Sequence, residues 1–294
     1  MDLFPGFAHR RIAHGDIEIN ARIGGDGPPL LLLHGYPQSH VMWHKVAPRL
    51  AAHYTVVAAD LRGYGDSSKP PGDPEHANYS KRELARDQVA LMRALGFERF
   101  LLAGHDRGAR VAHRLALDHP ERVRRLAVLD IAPTLAMYER TDMAFARAYY
   151  HWFFLIQPAP FPETLINHDR GFYLRAKLGL ARANPFDPAA LAEYLRCYDE
   201  ATVHASCEDY RAAAGIDLEH DRADRAAGRR VRCPVLALWG RHGVIERCYR
   251  PLEVWREYAD EVSGRALEAG HYLAEEVPDA VYDELVRFFG AAGT

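Results

Sequence analysis

The chain has 294 residues, of which 48% are hydrophobic, and its formal net charge is -3 at pH 7. This length and composition suffice for a large core and exclude a disordered or disulfide-held peptide. The small, mixed charge excludes the electrostatic footprint of a nucleic-acid partner or of an anionic membrane surface.

The sequence carries no sign of export or membrane insertion. Its first residues, MDLFPGFAHRR, lack the apolar stretch of a cleavable signal, and apolar runs such as PLLLLHG are too short to span a bilayer. The four cysteines form no C-x-x-C pair: Cys197, Cys207, Cys233 and Cys248. We therefore expect free thiols in a cytoplasmic protein without a membrane partner. The sixteen histidines show no metal-binding spacing, so we expect no metal and no cofactor.

Apolar runs of strand length alternate with segments of helical period, which predicts an α/β fold whose mostly parallel sheet is flanked by helices. Strands are expected at residues 17–23, 30–33, 55–59, 100–103, 123–129 and 233–239. Ser80 and Glu83 have the spacing of a capping box, and Gly96 marks the expected end of the helix that follows Ser80. Further helices are expected at 109–118 and 279–289.

The pattern changes between residues 133 and 228, where aromatic-rich helical segments occur without an apolar strand run. We interpret residues 133–228 as a helical cap inserted into a core formed by residues 1–132 and 229–294. Such a cap would lie over the carboxyl edge of the sheet, where open α/β sheets bind their ligands.

The stretch GHDRGAR has the layout of a G-x-S-x-G nucleophile elbow, with Asp106 in the position of the serine. An aspartate at this position is also a common N-cap for the following helix, so a purely structural role stays open. Three further features at other strand ends favour a catalytic role.

The first feature is the turn HGYP after the strand at 30–33, where the backbone N–H of Tyr36 could join that of Arg107 as an oxyanion hole. A plain turn is the alternative. The second is Asp130, which ends an apolar strand and could orient a histidine. It is favoured over Glu246, which follows a later strand at a greater distance. The third is His271, which gives the order nucleophile, acid, histidine.

These motifs resemble a known superfamily. HGYP, DLRGYGDS, GHDRGAR, VLD and the late GH are similar to α/β hydrolases of the branch with aspartate nucleophiles, which contains epoxide hydrolases and dehalogenases. Together with the motifs YHW at 150–152 and CEDYR at 207–211, they most closely resemble fluoroacetate dehalogenases. The resemblance implies an α/β-hydrolase fold and a homodimer.

The resemblance implies hydrolysis of short 2-haloacids through an ester on Asp106, with His271 as base and Asp130 as its partner. A serine nucleophile would give a stable ether, whereas an ester has a carbonyl that water can attack. Two guanidinium groups are expected to bind the carboxylate of the small-molecule haloacid by bidentate bonds. The carboxylate-binding residues are Arg107 and Arg110, and the halide-binding donors are His151, Trp152 and Tyr210.

Two other functions stay open at this point. An epoxide hydrolase would use the same triad, with cap tyrosines donating to the epoxide oxygen and no need for paired arginines. A non-catalytic receptor for small acids is possible because a fold does not determine a function. The segment LRAKLGLARANPF, after Tyr173, lacks an aromatic residue where the resemblance would place one along the substrate tunnel.

Overall fold

A computed structural model of the protein describes residues 2–180 and 184–290. In this part of the chain one eight-stranded sheet is present. Its strands are β1 (Ala8–His14), β2 (Ile17–Gly24), β3 (Pro29–Leu33), β4 (Thr55–Ala59), β5 (Phe100–His105), β6 (Val123–Leu129), β7 (Val235–Gly240) and β8 (Val262–Leu267).

The strands lie in the order β1-β2-β4-β3-β5-β6-β7-β8. Strand β2 pairs antiparallel with β1 and β4, whereas all pairs from β4 to β8 are parallel. The carboxyl ends of β3, β5, β6, β7 and β8 therefore meet at one edge of the sheet. The predicted fold class, a mostly parallel sheet flanked by helices, is confirmed.

The helices before the predicted cap are α1 (Ala47–Leu50), α2 (Lys81–Ala94) and α3 (Arg107–Asp118). Between β6 and β7 the described residues form helices α4 (Thr134–Glu139), α5 (Met143–Ala148), α6 (His151–Phe154), α7 (Phe161–His168), α8 (Arg170–Lys177), α9 (Pro188–Cys197), α10 (Glu200–Ala214) and α11 (Ile216–Ala226). After β7 come α12 (Val244–Cys248), α13 (Pro251–Arg256), α14 (Leu273–Glu276) and α15 (Pro278–Gly290). The cap boundaries, 133–228, stay a prediction.

Local sequence explains why these elements form where they do. Every residue of β5 is buried, as an apolar strand covered on both faces requires. Helix α2 begins after Ser80, whose hydroxyl accepts the N–H of Glu83 at 3.3 Å. After α2 ends, Gly96 adopts a φ of +84°, a conformation that glycine reaches without steric cost.

Strand β1 was not predicted from the sequence. Its residues, AHRRIAH, are exposed except for a half-buried isoleucine, Ile12, because β1 lies at the edge of the sheet. An exposed edge strand needs no apolar run, so hydrophobic periodicity does not reveal it.

None of the described helices combines the length and apolar character that crossing a membrane requires. The four cysteines are unpaired. Part of the segment after Tyr173 in which a tunnel aromatic is missing, residues 181–183, lies outside the described residues.

Candidate active site

Asp106 lies at a sharp turn between β5 and α3. Its backbone has φ +46° and ψ −115°, a conformation that L-residues rarely adopt and that signals stored strain. The Asp106 side chain makes no capping hydrogen bond to α3, so the structural alternative of an N-cap does not describe it. A Cβ on Gly108 would lie 2.2 Å from the carbonyl oxygen of His34, which explains the glycine after the turn.

The turn after β3 brings a backbone amide to this carboxylate. The N–H of Tyr36 donates to Asp106 Oδ1 at 3.0 Å. A Cβ on Gly35 would lie 2.5 Å from the Cβ of Asp106, so only glycine permits this approach. Arg107 is the first residue of α3, where a backbone N–H has no acceptor within the helix. This arrangement suits the predicted pair of oxyanion donors, Tyr36 and Arg107.

His271 and Asp130 meet at the same edge of the sheet. His271 Nδ1 donates to Asp130 Oδ2 at 2.6 Å, and the N–H of Gly240 donates to Asp130 Oδ1 at 2.9 Å. Burial alone would lower the pKa of His271, but the hydrogen bond and charge of Asp130 raise it above its ordinary value. The bond at Nδ1 leaves Nε2 free to accept a proton.

His105, the last residue of β5, supports this histidine, and sequence reasoning gave it no role. Its ring lies 4.6 Å from that of His271, and its Nε2 donates to the backbone carbonyl of His271 at 2.8 Å. Burial and the nearby charge of His271 lower the pKa of His105 to about 3. His105 is therefore neutral and fixes the position of His271.

The guanidinium of Arg107 is held by Asp209, a residue of α10. Nε and Nη2 of Arg107 donate to the Asp209 carboxylate at 2.7 and 2.8 Å, and Nη2 also donates to the Asp209 carbonyl. Only Nη1 is buried without a partner among the described residues. Arg107 therefore cannot offer a substrate the bidentate pair of bonds that we predicted, because Asp209 already occupies them.

Asp209 is the centre of a buried ionic cluster that the sequence did not reveal. Tyr64 donates its hydroxyl to Asp209 Oδ2 at 2.7 Å, and the Lys81 ammonium donates to Oδ1. Burial would raise the pKa of Asp209, but the charges of Arg107 and Lys81 hold it well below the ordinary range. The cluster neutralises the charge of Arg107 and fixes its position.

Arg110, one turn further along α3, has a different environment. Its Nη1 donates to the Ala132 carbonyl at 3.1 Å and to the Thr134 hydroxyl at 3.0 Å, and its guanidinium lies 4.7 Å from the centre of the Trp152 ring. Nε is buried without a partner, and no ion pair joins Arg110 to a carboxylate among the described residues. Arg110 is thus a buried cation without a bonded anion.

Both arginines act on the carboxylate at the elbow. Burial would raise the pKa of Asp106, but attraction to His271 in its protonated form and to Arg110, with a smaller effect from Arg107, lowers it below its ordinary value. Asp106 is therefore ionised at neutral pH, as a nucleophile must be.

The three predicted halide ligands, which belong to α6 and α10, come together. The ring of Tyr210 lies 5.7 Å from that of His151 and 6.3 Å from that of Trp152. Trp152 Nε1 and the Tyr210 hydroxyl are inaccessible to solvent and have no hydrogen-bond partner in the described part of the chain. The hydroxyl of Tyr149 is likewise buried without a hydrogen-bond partner among the described residues, and nothing in the sequence indicated this.

A cavity of about 360 Å³ reaches the carboxylate at the elbow and His151, whereas Trp152 and Tyr210 do not line it. Its walls include Asp106, Tyr149, His151, Lys177 and His271. The unpaired donor atoms of both arginines, the tryptophan and Tyr210 are closed to solvent. A ligand that reaches them must be small.

Glu163, His204 and Glu208 place possible metal-ligand atoms within 4.8 Å of one another. However, Nη1 of Arg211 donates to both glutamates at 2.7 Å. A cation already balances these carboxylates, so this cluster does not suggest a metal centre.

The chain is similar to known proteins over nearly its whole length. Residues 28–273 match the family model of the alpha/beta hydrolase fold. A fluoroacetate dehalogenase from Burkholderia sp. is 50% identical over 294 residues, which are 99% of this chain and 96% of that protein. A soluble epoxide hydrolase from Corynebacterium sp. strain C12 is 35% identical over 272 residues, 90% of this chain and 91% of that protein.

Among solved structures, an alpha/beta hydrolase from Nostoc sp. PCC 7120 superposes with a TM-score of 0.95 at 57% identity, covering 97% of this chain and 99% of that one. The family resemblance seen in the motifs is confirmed by these matches. The chain therefore belongs to the alpha/beta hydrolase fold family and is similar to fluoroacetate dehalogenase.

Proposed function

We propose that this protein hydrolyses short 2-haloacids, converting fluoroacetate or chloroacetate to glycolate and halide. The observation that carries the proposal is a set of buried donors without acceptors beside an ionised carboxylate: Arg107 Nη1, Arg110 Nε, Trp152 Nε1 and the Tyr210 hydroxyl. Leaving such donors unpaired costs free energy, so a ligand rich in acceptors is the natural complement. A haloacetate supplies a carboxylate and a halogen within a few atoms.

In the first step, an Asp106 carboxylate oxygen attacks the carbon that bears the halogen. A carbon–oxygen bond forms as the carbon–halogen bond breaks, and its electron pair leaves with the halide. Arg110 and the free Nη1 of Arg107 would hold the substrate carboxylate, which sets the adjacent carbon in line with Asp106. Because Arg110 has no bonded anion of its own, it contributes most of the attraction.

The departing fluoride gathers compact negative charge and needs several hydrogen bonds in the transition state. Trp152 Nε1 and the Tyr210 hydroxyl are free to donate, and His151, whose ring lies 5.7 Å from that of Tyr210, lines the cavity. Losing one such donor typically costs a factor of ~100 or more in rate.

In the second step, neutral His271 removes a proton from water, and the resulting hydroxide attacks the ester carbonyl on Asp106. The N–H groups of Tyr36 and Arg107 would stabilise the oxyanion, whose collapse breaks the bond to the glycolate oxygen. The proton of the added hydroxyl ends on that glycolate oxygen, the proton on His271 is lost to solvent, and Asp106 is again a carboxylate. Asp130 stabilises the imidazolium that forms on His271.

Epoxide hydrolysis is the second candidate, and one observation favours it. Tyr149 and Tyr210 both carry buried hydroxyls without a partner in the described residues, and two tyrosine donors suit an epoxide oxygen. The 35% identical soluble epoxide hydrolase of Corynebacterium adds support. Against it stands the unpaired buried cation Arg110, which a neutral epoxide would leave without an anion.

Halide release from fluoro-, chloro- and bromoacetate, measured beside turnover of styrene oxide, tests the proposal. We expect halide and glycolate in equal amounts, and no halide from an Asp106→Asn variant. Turnover of styrene oxide without halide release would establish the epoxide hydrolase instead. Saturable haloacetate binding with no product would indicate a receptor for small acids.

A further inference from the structure

Lys177, the last residue of α8, contacts one of the proposed halide ligands. Its Nζ lies 2.7 Å from Nδ1 of His151, and both side chains line the active-site cavity. Lys177 is half-buried, and among the described residues no carboxylate lies within ion-pair distance of it. Its ammonium lies 5.9 Å from the Tyr149 ring centre and 6.0 Å from that of Tyr150.

The contact defines which ring nitrogen of His151 carries the proton. An ammonium group has three donors and no acceptor, so His151 Nδ1 must present its lone pair to Lys177. Burial and the charge of Lys177 lower the pKa of His151 well below its ordinary value, while burial lowers the pKa of Lys177 to about 7. Below about pH 7, where Lys177 is an ammonium, the shared proton therefore resides on Lys177, and the ring of His151 is neutral with its hydrogen on Nε2.

We propose that Lys177 is a positioning residue that holds His151 as the Nε2–H tautomer and thereby directs a hydrogen-bond donor at the departing halide. This inference rests on the proposed haloacid hydrolysis. With the opposite tautomer, His151 would present a lone pair to the leaving anion and repel it. The effect should be greatest for fluoride, whose compact charge depends most on donors, and smaller for bromide.

Lys177→Met tests the inference, because it removes the donor and keeps an unbranched apolar side chain. We expect kcat for fluoride release to fall about 10- to 100-fold, with a much smaller fall for bromide release and little change in KM. Lys177→Arg keeps a donor-only cation and should restore most of the lost fluoride release. Arg247→Met is the matched comparison, because Arg247 is an exposed cation on the wall of the same cavity.

If Lys177 acts only by attracting anions to the cavity, Lys177→Met and Arg247→Met will both raise KM, equally for fluoro- and bromoacetate. That result would overturn the inference.

Nitrogen NMR of the substrate-free protein with ¹⁵N-labelled histidine gives a readout independent of activity. The His151 signals are identified by their loss in His151→Gln. We expect a protonated Nε2 and an unprotonated Nδ1 in the wild type, and a changed Nδ1 signal in Lys177→Met. A protonated Nδ1 in the wild type would overturn the inference. If no haloacetate releases halide, the proposed function fails, and the NMR result alone still decides the tautomer.

Discussion

We expect Arg110→Met to reduce activity without reducing stability. Arg110 is buried, yet its guanidinium meets only a carbonyl, a hydroxyl, the sulfur of Met137 at 3.2 Å and the face of Trp152. In the substrate-free protein no bonded carboxylate offsets the cost of removing its charge from water. Methionine matches its unbranched stem and packs well against aromatic and sulfur-containing neighbours.

The magnitude follows from the interaction that the substrate loses. A hydrogen bond to a charged group contributes about 1.5–3 kcal/mol, so kcat/KM for haloacetates should fall roughly 10- to 150-fold. Breaking a buried ion pair costs about 3–5 kcal/mol, but Arg110 has no directly bonded carboxylate, so Arg110→Met should avoid most of this loss. The free energy of unfolding should therefore stay close to that of the wild type.

Arg114→Met is the matched control on the same helix, α3. Arg114 is as buried as Arg110 but pairs with Asp118 at 3.2 Å, with Asp221 at 2.6 Å and with Asp224. Removing Arg114 leaves Asp221 without its ion-pair partner, while Asp118 and Asp224 keep only Arg82 and Arg229. We therefore expect a loss of about 3–5 kcal/mol in unfolding free energy. Halide release per folded molecule should be unchanged.

Urea unfolding gives the stability of the two variants, and a fluoride electrode gives their kcat/KM. Together they decide whether Arg110 binds substrate or supports the fold. If Arg110→Met loses as much stability as Arg114→Met, Arg110 is a structural residue. If Arg110→Met retains wild-type kcat/KM for haloacetates, the assignment of the carboxylate site is wrong.

Three further predictions concern other residues of the site. Below the raised pKa of His271 this base is protonated, while Asp106, whose pKa is lowered, is still ionised. Acidification should therefore leave a rapid burst of about one halide per site but stop the release of glycolate. Rapid-quench assays of both products check this expectation. Trp152→Phe removes one donor and should slow fluoride release ~100-fold, with a smaller effect on the rate of bromide release. Equal reductions in the two rates would argue against a contact between Trp152 and the halide. Asp209→Asn leaves the Arg107 guanidinium buried without its carboxylate and should lower the free energy of unfolding by about 3–5 kcal/mol. If urea unfolds this variant at the same concentration as the wild type, the ion pair between Arg107 and Asp209 does not stabilise the fold.

The sheet and the elbow were predictable because local sequence specifies them. Strands β3, β4 and β5 are short, buried apolar runs whose chain order limits how they can pair. The glycines around Asp106 are required by close packing, because a Cβ at Gly35, Gly104 or Gly108 would lie less than 3 Å from a neighbouring atom. The carboxyl ends of parallel strands meet at one edge, so the positions of Asp130 and His271 near Asp106 followed from topology.

The contacts that α8 and α10 make around the site were not predictable in this way. Arg107 and Asp209 are 102 residues apart, and no local pattern reveals which face of a cap helix meets α3. The motif CEDYR drew attention to Tyr210 but gave no reason to pair its neighbour Asp209 with the arginine. Lys177 and Tyr149 were missed for the same reason, because their roles depend on the packing of separate helices around one cavity.

The most direct test of the account is to trap the ester on Asp106. In a His271→Asn variant the carboxylate can still displace halide, but no base activates water, so the intermediate should accumulate. After incubation with fluoroacetate or bromoacetate, mass spectrometry should find one added carboxymethyl group on the peptide that contains Asp106, with one halide released per chain. The variant that also carries Asp106→Asn should show neither. Halide release without an adduct, or an adduct on another residue, would contradict the central claim.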